Sequence, residues 1–128
     1  MTRRLNISSG AKWEDAVSYS RAVRVGNLVE VAGTAAAEGD QIIGDTPYEQ
    51  SKFILSKIEK ALHKAGAALN DVVRTRIYVT DISRWQEVGK AHGEYFAKIK
   101  PVTTMIEVKA LIHPDLLVEI EASAIIES

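Results

Sequence analysis

The chain has 128 residues, with 16 basic and 17 acidic side chains, a formal net charge of −1 and a hydrophobic content of 46%. These values predict a single domain, residues 1–128, with one core. They argue against a general nucleic-acid binder, which carries an excess of Lys and Arg. The absence of cysteine excludes disulfides, thiolate nucleophiles and cysteine-based zinc sites. It is compatible with a reducing cytosol, so we expect a cytoplasmic protein with neither a signal peptide nor a membrane span.

The first elements are strands. Residues 27–34, NLVEVAGT, alternate in polarity as a half-buried strand does, and the upstream stretch YSRAVRVG is a second strand. Gly26-Asn27 between them predicts a hairpin turn. We also expect a short N-terminal strand and, within the Gly- and Asp-rich loop that follows, an extended piece at residues 41–43.

A helix with clear end signals comes next. Thr46 is placed as its N-cap, Pro47 as its first residue and Glu49 as the capping-box partner, while Gly66 is placed to end it. The apolar residues at helical spacing are Ile54, Ile58, Ala61, Leu62 and Ala65.

The second half predicts strand, helix and two more strands. The strand of residues 71–81 has one face made of Val73, Thr75, Ile77 and Val79, and another made of Arg74, Arg76, Tyr78 and Thr80. A helix is predicted from Ser83, with Gln86 completing a capping box. Its apolar residues are Trp85, Val88, Tyr95, Phe96 and Ile99. KPVTTMIEV (100–108) and LLVEIEASAII (116–126) are the last strands, joined through a turn at 113–115.

The order β-β-α-β-α-β-β, with hairpins at both ends, predicts an α+β sandwich: one mixed sheet with two helices on one face. The other face would carry cations, anions and apolar groups together. We assign to it Glu30, Ala32, Arg74, Arg76, Tyr78, Thr103, Met105, Glu107, Leu117, Glu119 and Glu121. Because a monomer core could not hold so many charges, this mixture favours burial in a homo-oligomer.

Several stretches resemble the RidA/YjgF family, also called the liver perchloric-acid-soluble protein family. They are SYSRAVRVGNLVEVAGTA, ALHKAGAALNDVVRTRIYVTDI and VEIEASAI, in the family's order and spacing over almost the whole chain. The resemblance implies a chorismate-mutase-like fold and a homotrimer whose sheets form an inner barrel, with ligand clefts between neighbouring subunits. It also implies cofactor-free hydrolysis of enamines and imines to 2-keto acids and ammonia.

The resemblance assigns most of a site. Tyr19 matches the family's tyrosine, and Ala32, Gly33 and Thr34 match a strand end that lines the cleft, although Ala32 stands where serine is common. The backbone N–H groups there remain donors for an anion or carbonyl. Glu119 matches the water-positioning glutamate, which can orient or deprotonate water for attack on an iminium carbon.

An alternative remains open for the carboxylates of the last strand. Glu119 and Glu121 could instead pair with Arg74 or Arg76 inside the barrel, because such networks perturb pKa values without catalysis. The sequence alone does not separate salt bridges from cleft residues in this strand.

The strand KPVTTMIEV departs from the family. Active deaminases have Arg-Ser-Cys-Val-Glu-Val there, so Thr103 takes the arginine position, Thr104 follows, and Met105 takes the cysteine position. A guanidinium grips an α-carboxylate bidentately. Losing two charged hydrogen bonds would weaken binding of amino-acid-derived substrates by about a hundredfold or more. Lys100 and Arg21 are candidate replacement cations, but the sequence does not place them.

The remaining residues that could carry chemistry favour structural roles. His92 is expected to be a satisfied buried or edge histidine, His63 to be solvated, and His113 to lie in a turn, so no metal site is predicted. Trp13 and Trp85 are expected to pack, although Trp13 could line the cleft.

The residues leave four candidate functions. The preferred one is a trimer binding small carbonyl or imine compounds, without cofactor or nucleic acid, with hydrolysis absent or directed at substrates lacking a carboxylate. The second is an active 2-imino acid or enamine deaminase with its cation supplied elsewhere. An endoribonuclease that inhibits translation is less favoured because the charge is −1. A structural or chaperone-like protein is the fourth.

Overall fold

A computed structural model describes residues 3–127 of the chain. Its helices and strands are β1 (Arg4–Ile7), α1 (Lys12–Val17), β2 (Ala22–Val25), β3 (Leu28–Ala35), β4 (Ala37–Glu38), β5 (Gln41–Ile42), α2 (Pro47–Lys64), β6 (Val72–Val79), α3 (Trp85–Phe96), β7 (Val102–Glu107) and β8 (Val118–Ile125). Six strands form one mixed sheet in the order β1-β2-β3-β8-β6-β7, and β4 and β5 form a separate hairpin. The predicted α+β class is confirmed.

The N-terminal half follows the predicted pattern. β2 and β3 form the hairpin around Gly26, whose φ of 60° is the left-handed value that favours glycine, and β1 pairs antiparallel with β2. The extended piece near residue 41 is β5.

The short helix α1 was missed. It has only six residues and ends at Ser18, which has a φ of 73°. A segment this short carries too few apolar repeats for periodicity to reveal it. The described residues therefore contain three α-helices, one more than predicted.

The arrangement of the last two strands differs from the prediction. β8 lies between β3 and β6, and β7 pairs parallel with β6 at the sheet edge. Strands 7 and 8 therefore do not form a hairpin. The reason is that α3 serves as the crossover between parallel β6 and β7, so β8 occupies the central position beside β6.

Helix ends mostly follow the predicted chemistry. The Thr46 hydroxyl accepts from Glu49 N at 3.1 Å, but the Glu49 carboxylate accepts from Asp45 N rather than completing the box on Thr46. Gly66 follows α2 with a φ of 84°. The predicted start at Ser83 is corrected: a 3₁₀ turn precedes α3, and the Asp81 carboxylate accepts from Ser83 N at 3.0 Å.

The core lies between one face of the sheet and helices α2 and α3. A register shift between residues 72 and 74 puts Val72 into this core and leaves Val73 42% exposed. The prediction had Val73 on the core face. A bulge adds one residue to the strand, so the residues before it point to the opposite face of the sheet from the face that regular alternation predicts.

The face of β7 is also corrected. Its parallel register sets Thr103 opposite Thr75, Met105 opposite Ile77 and Glu107 opposite Val79, and those three β6 residues are buried. Thr103, Met105 and Glu107 therefore point to the helix side, not to the opposite face as predicted. The opposite face carries Val102, Thr104 and Ile106. Both sides of this edge strand carry polar and apolar residues. The alternation of residue types therefore does not indicate which side faces the core.

Candidate functional site

A groove of about 900 Å³ opens beside α1, the segment that leads into β2, the C-terminal half of β3 and one face of α2. Tyr19, Ala32, Gly33 and Glu119, all assigned to the site from the sequence, line it together. A second hollow of about 660 Å³ adjoins it at Tyr19 and Ala32 and reaches Glu121. The groove is the candidate site because it contains the carboxylate and the glycine that packs against it.

A β-bulge shapes one wall of the groove. The β3–β8 pairing shifts register between Val31 and Thr34, so Ala32 and Gly33 leave the regular ladder. A Cβ atom at Gly33 would lie only 2.5 Å from Glu119 Oε2. Glycine is therefore required at this position for the carboxylate to lie against the backbone.

Glu119 is the titratable group of greatest interest. Burial raises the pKa of its carboxyl, the positive charge of Arg21 opposes this rise, and the negative charge of Glu121 adds to it. A carboxylate with a raised pKa is a stronger base toward water than an exposed glutamate. The alternative of an ion pair holds for Glu121 instead, whose Oε1 lies 3.3 Å from Arg76 Nη1.

Arg21 is the residue that sequence reasoning failed to place. It is 7% exposed, lines the groove, and donates to Gly33 O at 2.8 Å, to Thr34 Oγ1 at 3.1 Å and to Tyr19 Oη at 3.2 Å. One signal was available: residues two apart in an extended segment share a face, which favours Arg21 beside Tyr19 but indicates neither its burial nor its partners.

A buried acid lies behind Arg21. Glu14 of α1 is 6% exposed, and its Oε2 is 3.9 Å from Arg21 Nε. Burial alone would raise the pKa of Glu14, but hydrogen bonds from Ser9 and Ser8 and the charge of Arg21 outweigh it and lower the pKa. The pair joins α1 to the bulge.

Thr34 is buried rather than open to a ligand. Its hydroxyl donates to Ala32 O at 2.8 Å and accepts from Arg21, and the residue is 1% exposed. Thr34 therefore belongs to the support of the bulge.

Apolar side chains form the outer part of the groove. Trp13, Val17, Phe53 and Ile112 line it, and Trp13 is 43% exposed. Trp85 is 52% exposed, so it is only partly covered by its neighbours. The expectation that Trp13 could line the cleft matches its position.

Charged residues border the groove as well. The α2 part of the border consists of Lys57, Lys60 and Lys64. Burial lowers the pKa of Lys57, and the positive charge of Arg21 lowers it further. Glu38 and Asp40 lie on the same groove, so the border has mixed sign.

The three predicted residues of β7 do not line this groove. Thr103 Oγ1 lies 2.6 Å from Thr75 Oγ1 and donates to Thr75 O at 3.1 Å in one arrangement of its proton. Thr104 is exposed on the other side of the strand, and Met105 packs partly against the core. Within one chain, β7 lies at the sheet edge, two strands away from Glu119 on β8.

His92 has a satisfied structural position, as predicted. Its Nε2 lies 2.8 Å from Thr75 Oγ1, and burial lowers its pKa. Among residues 3–127, no group of His, Cys, Asp and Glu is arranged to hold a metal ion. No helix in that same range is long and apolar enough to cross a membrane.

Comparison with known proteins gives one family. Residues 10–126 match the model of the family described as Endoribonuclease L-PSP. The chain is 37% identical over 119 residues to an uncharacterized protein of Streptomyces coelicolor, covering 92% of this chain and 89% of that protein. It is 38% identical over 109 residues to a RutC family protein of Pyrococcus abyssi, covering 83% and 84%.

A solved structure agrees with these relatives. The crystal structure of a Mycobacterium tuberculosis protein, described as a member of the highly conserved YjgF/YER057c/UK114 family, matches with a TM-score of 0.91 and 58% identity. The match covers 97% of this chain and all of that one. The chain belongs to the RidA/YjgF family, the family of endoribonuclease L-PSP and RutC proteins.

Proposed function

We propose that the chain forms a homotrimer that binds small carbonyl or imine compounds in clefts between subunits, and that any hydrolysis it performs favours imines without a carboxylate. The observation that carries this proposal is the half-buried Glu119 carboxyl, held against Gly33 in a groove that Tyr19 also lines. A carboxylate of raised pKa can take a proton from the water that attacks an imine carbon. The proton passes from Glu119 to the imine nitrogen, the C–N bond of the resulting carbinolamine breaks, and ammonia and a carbonyl compound are released.

The preference for substrates without a carboxylate comes from β7. Thr103 stands at the arginine position of active deaminases, and its hydroxyl is already within hydrogen-bond distance of Thr75. It brings no positive charge, and a hydroxyl has a single proton to donate. A substrate carboxylate would find neither the charge nor the planar fork of a guanidinium there.

Support for self-association comes from the sheet face opposite the helices. Val25, Leu28 and Ile125 lie side by side on three adjacent strands, each at least 41% exposed. Val102 and Ile106 add further exposed apolar area on β7. Monomers rarely expose apolar patches of this kind, whereas subunit interfaces cover them.

The test compares two imines made in situ: one from an amino acid by an amino-acid oxidase, and one from the corresponding decarboxylated amine by an amine oxidase. The measured quantity is imine loss above the spontaneous rate. We expect the carboxylate-free imine to be the better substrate, and Glu119→Gln to remove the activity on it. Turnover of the 2-imino acid equal to that of an arginine-bearing relative would contradict the proposal and favour the active deaminase.

A gain-of-function variant sharpens the test. Thr103→Arg is expected to raise kcat/KM on the 2-imino acid by about a hundredfold, because it restores two charged hydrogen bonds. Thr104→Arg is the matched control, since Thr104 lies one residue along on the other side of β7. Equal gains from both variants would point to general attraction of anions.

A second candidate is endoribonuclease activity, which the name of the matched family model attributes to that family. The observation in its favour is the row of Lys57, Lys60 and Lys64 along the groove, a basic row that the sequence analysis did not recognise. Cleavage of a labelled RNA by stringently purified protein, lost on Lys60→Gln and Lys64→Gln, would support it. The mixed sign of the groove border argues for the first candidate.

A further inference from the structure

The guanidinium of Arg21 is committed to protein acceptors. Its Nη1 bonds the Gly33 carbonyl and the Thr34 hydroxyl, and its Nη2 bonds the Tyr19 hydroxyl. Its Nε is fully buried, 3.9 Å from Glu14, and has no hydrogen-bond partner within residues 3–127. On the edge that would grip a carboxylate side-on, Nη2 is thus bonded to Tyr19, and Nε is buried beside Glu14.

The same side chain contacts or influences Tyr19, Gly33 and Glu119, three of the predicted site residues that line the groove. It bonds Tyr19 directly and fixes the carbonyl of Gly33, the glycine that packs against the Glu119 carboxylate. Its charge also acts on Glu119. An arginine buried to this degree, with three protein acceptors and an acidic neighbour, has one defined position.

We propose that Arg21 is the positioning residue of this groove: it holds the Gly33 bulge and the Tyr19 hydroxyl in place and brings its positive charge to act on the Glu119 carboxylate, without gripping the ligand itself. This inference rests on the proposed role of Glu119. It also explains how the chain can contain a cation near the groove and still lack a carboxylate clamp.

The charges that act on Glu119 are few. Arg21 is the cation, Glu121 lies two residues along the same strand, and Tyr78 is the register partner of Glu119 on β6. On the β3 side, the neighbours Gly33 and Ala35 carry no charge. Arg21 is therefore the group whose removal should change the titration of Glu119 most directly.

The first experiment follows the side-chain carboxyl of Glu119 by NMR in protein labelled with ¹³C-glutamate, assigned through Glu119→Gln. Arg21→Gln is expected to move the midpoint of this titration upward, because the opposing positive charge is gone. Arg24→Gln is the matched control: Arg24 lies three residues along, on β2, and its Nη1 bonds Ala65 O at 2.8 Å, away from the site. An unchanged midpoint in Arg21→Gln, or an equal shift in both variants, would overturn the inference.

A gentler substitution covers the case in which Arg21→Gln does not fold. Arg21→Lys keeps the charge but loses the fork, so we expect the Glu119 midpoint to stay close to its parent value. The amide resonances of Gly33 and Thr34 should shift, while Arg24→Lys leaves them in place. Unmoved resonances in Arg21→Lys would show that the guanidinium does not position the bulge.

Neither experiment needs a substrate, so its outcome is separable from that of the proposed function. Failure to hydrolyse any imine would count against the proposed function and leave the titration result standing. An unmoved Glu119 midpoint in Arg21→Gln would remove the action of Arg21 on Glu119, and unmoved Gly33 and Thr34 resonances in Arg21→Lys would remove its positioning role; neither result bears on the imine assay.

Discussion

The hydroxyl oxygens of Thr75 and Thr103 lie 2.6 Å apart, and His92 Nε2 lies 2.8 Å from the Thr75 oxygen. A polar chain therefore runs from α3 through buried Thr75 to the edge strand β7. The buried Thr75 hydroxyl links the other two groups, so its removal leaves His92 without a partner, whereas removal of the Thr103 hydroxyl affects only contacts at the exposed edge of the sheet.

Thr75→Val should destabilise the protein more than Thr103→Val. Thr75 is fully buried, and its loss leaves His92 Nε2 without a partner, which costs about 1–3 kcal/mol. Thr103 is exposed, so water can replace the lost hydroxyl, and the expected cost is below about 1 kcal/mol. Urea unfolding at one fixed protein concentration measures both, since oligomers gain apparent stability with concentration. Equal losses of unfolding free energy would mean that Thr75 does not link the hydrogen bonds of His92 and Thr103.

The burial of His92 predicts an acid-sensitive component of stability. Burial lowers its folded-state pKa, so below the unfolded value of about 6.5 the unfolded chain binds more protons than the folded one. The contribution of His92 is therefore complete above that pH and is lost as the pH falls below it toward the lower folded-state pKa. The measurement is the unfolding free energy from pH 8 to pH 5, compared between the parent and His92→Gln.

The difference in unfolding free energy between the parent and His92→Gln at each pH isolates the contribution of His92. Glu119 acts with the opposite sign, because its raised pKa makes the folded state bind protons more readily as pH falls. In His92→Gln, the side-chain amide of the glutamine can still form a hydrogen bond with Thr75, so that contact is retained in the variant. A parent-minus-variant difference that stays flat from pH 8 to pH 5 would refute the assignment to His92.

Gly33→Ala should impair the site more than the fold. The added Cβ would lie 2.5 Å from Glu119 Oε2, so the carboxylate must move away from the bulge. We expect a loss of imine hydrolysis like that of Glu119→Gln, in a protein that still folds. Gly93→Ala is the matched control, because a Cβ at Gly93 meets nothing within 4 Å and alanine favours the helix by about 1 kcal/mol. Full activity of Gly33→Ala would show that close approach of Glu119 to the backbone is not needed.

The regular parts of the fold were predictable because their signals are local. Thr46, Pro47 and Gly66 set the ends of α2 through capping chemistry, and Gly26 set the first hairpin. The order of the strands was not predictable, because the parallel pairing of β6 with β7 depends on packing between segments that are distant in sequence. Val73 was misplaced for a related reason: a bulge leaves no mark in the alternation of residue types.

The site was only partly predictable. Tyr19, Gly33 and Glu119 were identified by resemblance, and all three line one groove. Arg21 and Glu14 were not, because a sequence indicates neither the depth of burial nor the partner of a charge. The residues of β7 show a further limit. Their relation to Glu119 would be set by a neighbouring subunit, which a single chain does not contain.

The uncovered sheet face predicts that Ile106→Asp weakens self-association. Ile106 is 46% exposed on the side of β7 opposite the helices, so an aspartate there would bring an unpaired charge into the proposed interface. We expect the dissociation constant, measured by sedimentation equilibrium, to rise by at least about tenfold, as for a truncated interface anchor. Ile82→Asp is the control, because Ile82 is 38% exposed but lies in the 3₁₀ turn before α3, outside the sheet and the groove. If the parent sediments as a monomer, or both variants associate equally well, this face does not form the interface and clefts between subunits cannot be built on it.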